Sequence, residues 1–291
     1  MIWYFRKNHD LDYEADSFLR AAGGVLDVVV VSPAEVDIIV TRSDRRSIRL
    51  NNEVVDLPKL VLSRTGSGTG YHALSVLRHL EQLGVPVINS SQSIEIAKDK
   101  LHSTQLLANC GISTPRTMLA RFPVKTEVIK KTIGFPCVIK VLSGSYGKGI
   151  HLVSSEKALQ ELMEFVDSLS SPLNIIIQEY IDTAPGQDLR VFCVGDRVLG
   201  AMKRASTDGD FRANITRGGI GEPYLVNSEI KEIALETMKC LGLTIGGIDL
   251  LFHKQSFKVC EANSAPGWIG FEEATGINVA RELVDYCAGI V

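Results

Sequence analysis

Apolar and polar positions along this chain alternate between two rhythms. Short runs rich in Val, Ile and Phe lie at residues 2–5, 27–31, 36–40, 136–141, 150–153, 174–180, 187–194 and 197–203. Such residues favour extended backbone. Between them, apolar residues recur every three to four positions over 13–22, 71–83, 91–97, 99–109, 126–132, 158–169, 228–241 and 279–288, which predicts amphipathic helices. Residues 48–55 read as a hairpin around Asn51-Asn52. Gly111 and Pro115 end one helix and forbid its continuation. The pattern predicts an α/β (α+β) fold in three units: a small amino-terminal α/β domain over 1–90, a central one over 91–185 and a carboxy-terminal one over 186–291.

Residues 245–265, IGGIDLLFHKQSFKVCEANSA, carry the densest chemistry. Two apolar runs flank the polar turn HKQS, a hairpin pattern. Asp249 lies in the first arm, while Glu261 and Asn263 lie two residues apart at the end of the second and share one strand face. An antiparallel return brings these three together. A carboxylate inside an apolar strand is costly unless it is paired or ligates a metal. Two carboxylates and an amide oxygen suit Mg²⁺ or Mn²⁺ and not zinc. The alternative is a hairpin whose acids face solvent or pair with Arg.

Composition narrows the field. The 291 residues are 45% hydrophobic, with 31 basic and 34 acidic side chains and a net charge of −3. That balance gives no general basis for binding nucleic acid or a membrane surface. No run of 18 apolar residues offers a membrane span, and no secretion signal opens the chain. The six cysteines are widely spaced and mostly sit in apolar runs, so they read as reduced core residues of a cytoplasmic protein.

Several cations stand where solvated cations seldom do. Lys140 is inside the run PCVIKV. Three residues later Ser143, Gly144, Tyr146, Gly147 and Lys148 begin a glycine-rich loop able to wrap phosphate oxygens, or else an ordinary mobile hairpin. Arg64 follows a short strand and opens SRTGSGTG, which lacks the Lys-Ser/Thr of a phosphate-binding P-loop. It either holds a substrate carboxylate or pins its own loop. Asp188 and Arg190 share a strand face, Lys203 and Arg204 end the next strand, and the polar segment 206–221 holds Arg212, Asn214 and Arg217. Polyphosphate held by lysines and a divalent ion accounts for both the cations and the acids.

The chain resembles the RimK-like amino-acid ligases of the ATP-grasp superfamily. The resemblance rests on KDKLHSTQLLANCGISTP (98–115), CVIKVLSGSYGKGI (137–150), IIIQEYI (175–181), GQDLRVFCVGDRVLGAMKR (186–204), DGDFRANITRGG (208–219), GGIDLLF (246–252) and CEANSAPGWIGFEEATGINVA (260–280), in family order. It implies an ATP-grasp fold of three subdomains, the central and carboxy-terminal ones enclosing ATP. It also implies that Lys100 and Lys140 bind phosphate and that 143–149 form a small lid. Gln178, Glu179, Tyr180 and Ile181 would be the adenine hinge, with Asp188 on the ribose side, and Arg212, Ala213 and Asn214 would belong to the larger loop. Asp249, Glu261 and Asn263 would ligate Mg²⁺, two ions being expected and Mn²⁺ an alternative. Arg190, Lys203, Arg204, Arg212 and Arg217 become the candidate catalytic cations, and Arg64 a candidate substrate clamp.

The chemistry so implied is ATP-dependent amide formation: a carboxylate takes the γ-phosphoryl group, and an amine then displaces phosphate. Glutamate is the expected amino acid, with a peptide, carrier protein or small molecule as carboxylate acceptor. A homo-oligomer is the family expectation. A phosphoryl transferase that stops after the first step and a non-catalytic nucleotide-binding protein are the competing classes. The run PGWIGFEE at 266–273 either joins the core or lines the acceptor pocket.

Overall fold

The computed structural model describes residues 1–7, 12–42, 46–142, 149–168, 174–207, 209–211, 213 and 219–291. The chain begins with β1 (Ile2–Phe5), α1 (Tyr13–Ala22), β2 (Val28–Val31), β3 (Val36–Ile38), β4 (Ile48–Leu50), β5 (Glu53–Val54), β6 (Val61–Ser63), α2 (Tyr71–Gln82) and β7 (Val87–Ile88). The strands β2-β1-β6-β7 form a parallel sheet. Its two faces follow the strand period. Ile2 and Tyr4 join one apolar cluster, while Trp3 and Phe5 join another with Leu74 and Leu77 of α2. β3-β4-β5 make a small antiparallel sheet, and its turn places Asn51 and Asn52 at φ 51° and 70°, the left-handed pair that a tight hairpin demands.

Helices α3 (Ser91–Lys98) and α4 (Lys100–Asn109) follow, with Asp99 between them capping α4 through its side chain. Next come β8 (Thr117–Leu119), α5 (Thr126–Thr132), β9 (Cys137–Val141), β10 (Ile150–Val153), α6 (Glu156–Ser168) and β11 (Ile175–Glu179). The sheet β10-β9-β11-β8 is antiparallel. Cys137, Ile139, Ile175 and Ile177 turn inward to pack with Ile129 and Leu159 of the two helices. By alternation Lys140 and Gln178 leave the opposite face.

The remainder is β12 (Gln187–Val194), β13 (Arg197–Ala205), β14 (Ile220–Tyr224), α7 (Ser228–Leu241), β15 (Ile245–His253), β16 (Ser256–Asn263), α8 (Ile269–Thr275) and α9 (Val279–Ala288). The five strands pair antiparallel in the order β14-β13-β12-β15-β16. Leu189, Val191, Ile248 and Val259 face α7 and α4. On the other face Phe192, Val194, Met202 and Ile245 pack with Trp268, Phe271, Leu283 and Val284, and this cluster continues into Ile2, Tyr4 and Phe18. The amino-terminal sheet and the last two helices thus share one core.

Asn89 fastens the end of β7 to the carboxy-terminal sheet. Its Oδ1 accepts from the backbone N–H groups of Thr244 and Ile245 at 2.7 and 2.9 Å. Its Nδ2 donates to the carbonyls of Ile245 and Ser264 at 2.7 and 2.6 Å. Both donor and both acceptor capacities are used at a buried site.

Two expectations change and one open alternative is settled. Residues 220–224 are a strand despite Pro223, because β14 is an edge strand and tolerates a missing N–H. Residues 269–275 form a helix, and of the two roles open to this run Trp268 and Phe271 take the core one, while Ile269 stays exposed. Cys110 and Cys240 are paired as a disulfide, whereas Cys137, Cys193, Cys260 and Cys287 are free thiols. Their separation of 130 residues hid the pairing, which arises because α4 ends against the last turn of α7.

Two outcomes follow. Asn89→Ala removes four hydrogen bonds, three of them to buried backbone groups, and should lower the unfolding free energy by about 3 kcal/mol or more; chemical denaturation showing less than about 1 kcal/mol would discount the fastening role. Thiol alkylation of protein purified without reductant and then denatured should label four cysteines, and six after reduction. Six labelled without reduction would contradict the pairing.

Candidate active site

The β15–β16 hairpin sets Asp249 opposite Glu261 and Gly247 opposite Asn263. The register slips between Asp249 and Leu250, because Leu250 pairs with Val259. Cys260 is therefore an extra residue, a β-bulge. Strict alternation would send Lys258 and Glu261 to opposite faces. With the bulge, Lys258, Glu261 and Asn263 all leave the face away from core residues Val259 and Ala262. Gly247 is needed here. A Cβ at that position would come within 2.6 Å of the Pro266 Cβ and 3.0 Å of the Arg190 Cδ.

Beneath this face is a buried ion network. The Arg190 Nε donates to Asp249 Oδ1, and its Nη2 to Oδ2 at 2.8 Å. The Arg204 guanidinium binds Asp188 with two bonds, 2.6 and 2.7 Å, and its Nη2 also lies 3.1 Å from Asp249 Oδ2. Asn263 Nδ2 reaches Asp249 Oδ2 at 3.4 Å and the Gly247 carbonyl at 3.3 Å. Two guanidiniums and two carboxylates balance to zero, which is what permits so much charge under cover. Burial alone would raise the Asp249 carboxyl, but Arg190 and Arg204 outweigh it and hold it below the usual carboxylate range. Burial likewise opposes the Arg204 charge, and Asp249 and Asp188 reverse that.

The central sheet supplies the facing wall. The buried Lys140 ammonium lies 3.7 Å from the Cys260 thiol, and Lys100, at the start of α4, lies 3.8 Å from Glu261 Oε1. A thiol is a poor counter-group for a buried cation, so this spot suits an anionic ligand. At the end of β11, Glu179 Oε2 accepts from Lys258 Nζ at 2.9 Å and from the Arg116 backbone N–H at 3.1 Å. Arg116 Nη2 is 3.5 Å from Oε1. Burial pushes the Glu179 carboxyl up, but these donors together hold it lowered. Gln178 donates to the Thr117 hydroxyl at 2.9 Å. Tyr180 meets Phe211 edge to face at 6.3 Å, while Ile181 and Ala213 are buried.

The oxygen donors of Asp249, Glu261 and Asn263 fit a hard divalent ion. Among the described residues no cluster of three or more His, Cys, Asp and Glu can hold a metal unaided. Two carboxylates and one amide are an incomplete shell, the kind Mg²⁺ completes with phosphate oxygens and water.

Other candidates stand elsewhere. Lys203 alternates with Arg204, so it leaves the opposite sheet face and pairs with Glu222 at 3.2 Å. Asp188 is occupied by Arg204 and does not stand free for a ribose. Arg64 is buried: its Nη2 donates to Glu14 at 3.1 Å and to the Pro266 carbonyl at 2.7 Å, and its guanidinium stacks 4.5 Å from the Trp268 ring centre. Of its two open roles, these contacts match loop pinning. Ser143, Gly144, Tyr146, Gly147, Lys148, Arg212, Asn214 and Arg217 lie outside the described residues. Sequence reasoning missed Lys258, Cys260 and Arg116; only the bulge, which has no composition signal, brings Lys258 to this face.

Comparison with known proteins places the chain. A model of the RimK-like ATP-grasp domain matches residues 97–287, and one of the RimK pre-ATP-grasp domain matches 13–94. Probable alpha-L-glutamate ligase 2 of Shewanella amazonensis is 38% identical over 250 residues, 86% of this chain and 82% of its own length. Probable alpha-L-glutamate ligase of Shewanella loihica is 37% identical over 268 residues, 92% of this chain and 87% of its own. Among solved structures, a RimK domain ATP-grasp protein from Sphaerobacter thermophilus superposes with a TM-score of 0.74 at 19% identity, over 97% of this chain and 98% of its own. The ATP-grasp ligase PsnB, solved with a phosphomimetic minimal precursor, Mg and ADP, superposes with 0.77 at 18% identity, over 100% and 98%. The two structures establish the ATP-grasp fold, and the family models, with relatives above one-third identity, show that the chain belongs to the RimK-like ATP-grasp family.

Proposed function

We propose that this chain is an ATP-dependent carboxylate–amine ligase that adds L-glutamate to a carboxylate acceptor, releasing ADP and phosphate. The observation that carries this is the arrangement across one cleft: Glu261 and Asn263 of β16, with Asp249 beside them, face Lys100 and Lys140 of the opposing elements. Cations on one wall and hard oxygen donors on the other suit a nucleotide polyphosphate. The names of the relatives support a ligase that uses glutamate.

In this reading Lys100 and Lys140 offset phosphate charge as the γ-phosphoryl group moves to the acceptor carboxylate, and Asp249, Glu261 and Asn263 hold Mg²⁺. The ion supplies charge neutralisation and orientation of the phosphates when bound. Two ions, and Mn²⁺ as a substitute, are part of the proposal. Arg212 and Arg217 of the larger loop are the groups we assign to substrate carboxylates, which a guanidinium fork fits; Arg190 and Arg204, expected to share that role, are instead committed to Asp249 and Asp188 and hold the Asp249 carboxylate in place. Residues 143–148 and the larger loop are assigned to excluding water from the acylphosphate. The hinge assignment covers Gln178, Glu179, Tyr180 and Ile181.

The acceptor in this reading is a peptide or protein carboxyl, with a carrier protein or a small molecule as alternatives, and the enzyme is a homo-oligomer. No helix among the described residues is long and apolar enough to cross a membrane. Dependence on ATP supports a cytoplasmic setting.

A mass-resolved screen tests the function. Crossing the amino acids against carboxylate acceptors, including peptides ending in glutamate, should give a product heavier by one glutamyl residue. Phosphate should appear only when both partners are present. A stable phosphorylated acceptor would replace the ligase with a phosphoryl transferase. Glu261→Ala should cut ligation by about a thousandfold, the several kcal/mol expected of a metal-held charge. Retention of more than about a tenth of the activity would remove Glu261 from the metal set.

A further inference from the structure

Lys258 has no role in the mechanism above. Its cross-strand neighbour in the hairpin is Leu251, which offers no charge. The ammonium instead spans from the carboxy-terminal sheet to the central one and reaches Glu179, with both side chains mostly covered. β16 thereby contacts the central unit in series along one face: Lys258 with Glu179, Cys260 with Lys140, Glu261 with Lys100. The extra residue at Cys260 makes this possible, since without it Lys258 would point into the core.

We propose that Lys258 is a positioning residue for the nucleotide, fixing the Glu179 carboxylate at the hinge and through it setting affinity and preference for an adenine base. This rests on reading the cleft as the ATP site. Lys258 Nζ and the Arg116 N–H both occupy Oε2, whereas Oε1 meets only a long contact from Arg116 among the bonds described. Oε1 keeps spare acceptor capacity. An ionised carboxylate accepts hydrogen bonds and donates none, so it favours the exocyclic amine of adenine and opposes the carbonyl oxygen of hypoxanthine. The same ion pair joins the two sheets that enclose the cleft. Removing the ammonium frees the carboxylate to rotate and loosens the wall, which weakens nucleotide binding without touching the reacting groups.

The test compares wild type, Lys258→Met, Lys258→Arg, Glu179→Gln and the Lys258→Met/Glu179→Gln double variant. Binding of a non-hydrolysable ATP analogue with Mg²⁺ is measured without acceptor, alongside KM and kcat for ATP and for ITP. Lys258→Met should weaken analogue binding and raise the ATP KM by about tenfold, the coupling expected of residues in direct contact. Its kcat should stay within about twofold, the pattern of lost ground-state binding. The preference for ATP over ITP should shrink, Lys258→Arg should restore most of the affinity, and the double variant should be no weaker than the worse single one. A lower melting temperature with unchanged analogue affinity and unchanged ATP/ITP ratio would overturn the role. Wild type that binds no nucleotide would overturn it together with the ligase reading. Wild type that binds the analogue but ligates nothing removes the ligase reading alone, and the binding comparison still decides Lys258.

Discussion

Buried charge has to be neutralised where it sits, and this requirement governs the carboxy-terminal sheet. Asp249 is enclosed by β12, β13 and β16, and it stays ionised because Arg190 and Arg204 lie against it. Each arginine is on a neighbouring strand in register with its partner: Arg190 opposite Asp249, Asp188 opposite Arg204. A one-residue slip of any of these strands would bury an unpaired charge, at a cost of several kcal/mol. The network therefore specifies register as well as chemistry. On the same face, two to four residues along each strand, the side chains become Phe192, Val194, Met202 and Ile245, and the sheet turns from ionic to apolar.

That division explains what could be read in advance. Strands and helices were legible wherever burial imposed a period, as in β9, β12 and the β15–β16 hairpin. So were the convergence of Asp249 with Glu261 and the odd position of Lys140. What escaped depends on contacts between distant segments. β14 has weak local preference and exists because β13 needs a neighbour. α8 follows Pro266 and Gly267 and is held by burial of Trp268 and Phe271. Cys110 meets Cys240 only through helix packing. Lys203 and Arg204 are adjacent in sequence, and alternation gives them different surroundings, an ion pair with Glu222 for one and the buried network for the other.

Arg64 shows how the two ends of the molecule are coupled. It leaves a strand of the first sheet, grips Glu14 of α1, and lies on Trp268 and the Pro266 carbonyl, just beyond Asn263. Glu14 Oε1 accepts the Trp268 N–H at 2.9 Å, closing the arrangement. The turn that leaves the oxygen-donor strand is thus set by residues more than 200 positions earlier in the chain.

The shared core has a consequence for synthesis. Ile2, Tyr4 and Phe18 emerge from the ribosome long before Leu283, Val284 and Cys287, which pack with them. Until then the face that carries Ile2 and Tyr4 has only α1 over it, even though the other face can already close on α2. Closing so long a loop carries an entropic cost that only the completed contact offsets. The nascent amino-terminal unit is therefore a half-finished layer until α9 is made, and that helix acts as the latch that ends its exposure to chaperones and to other chains.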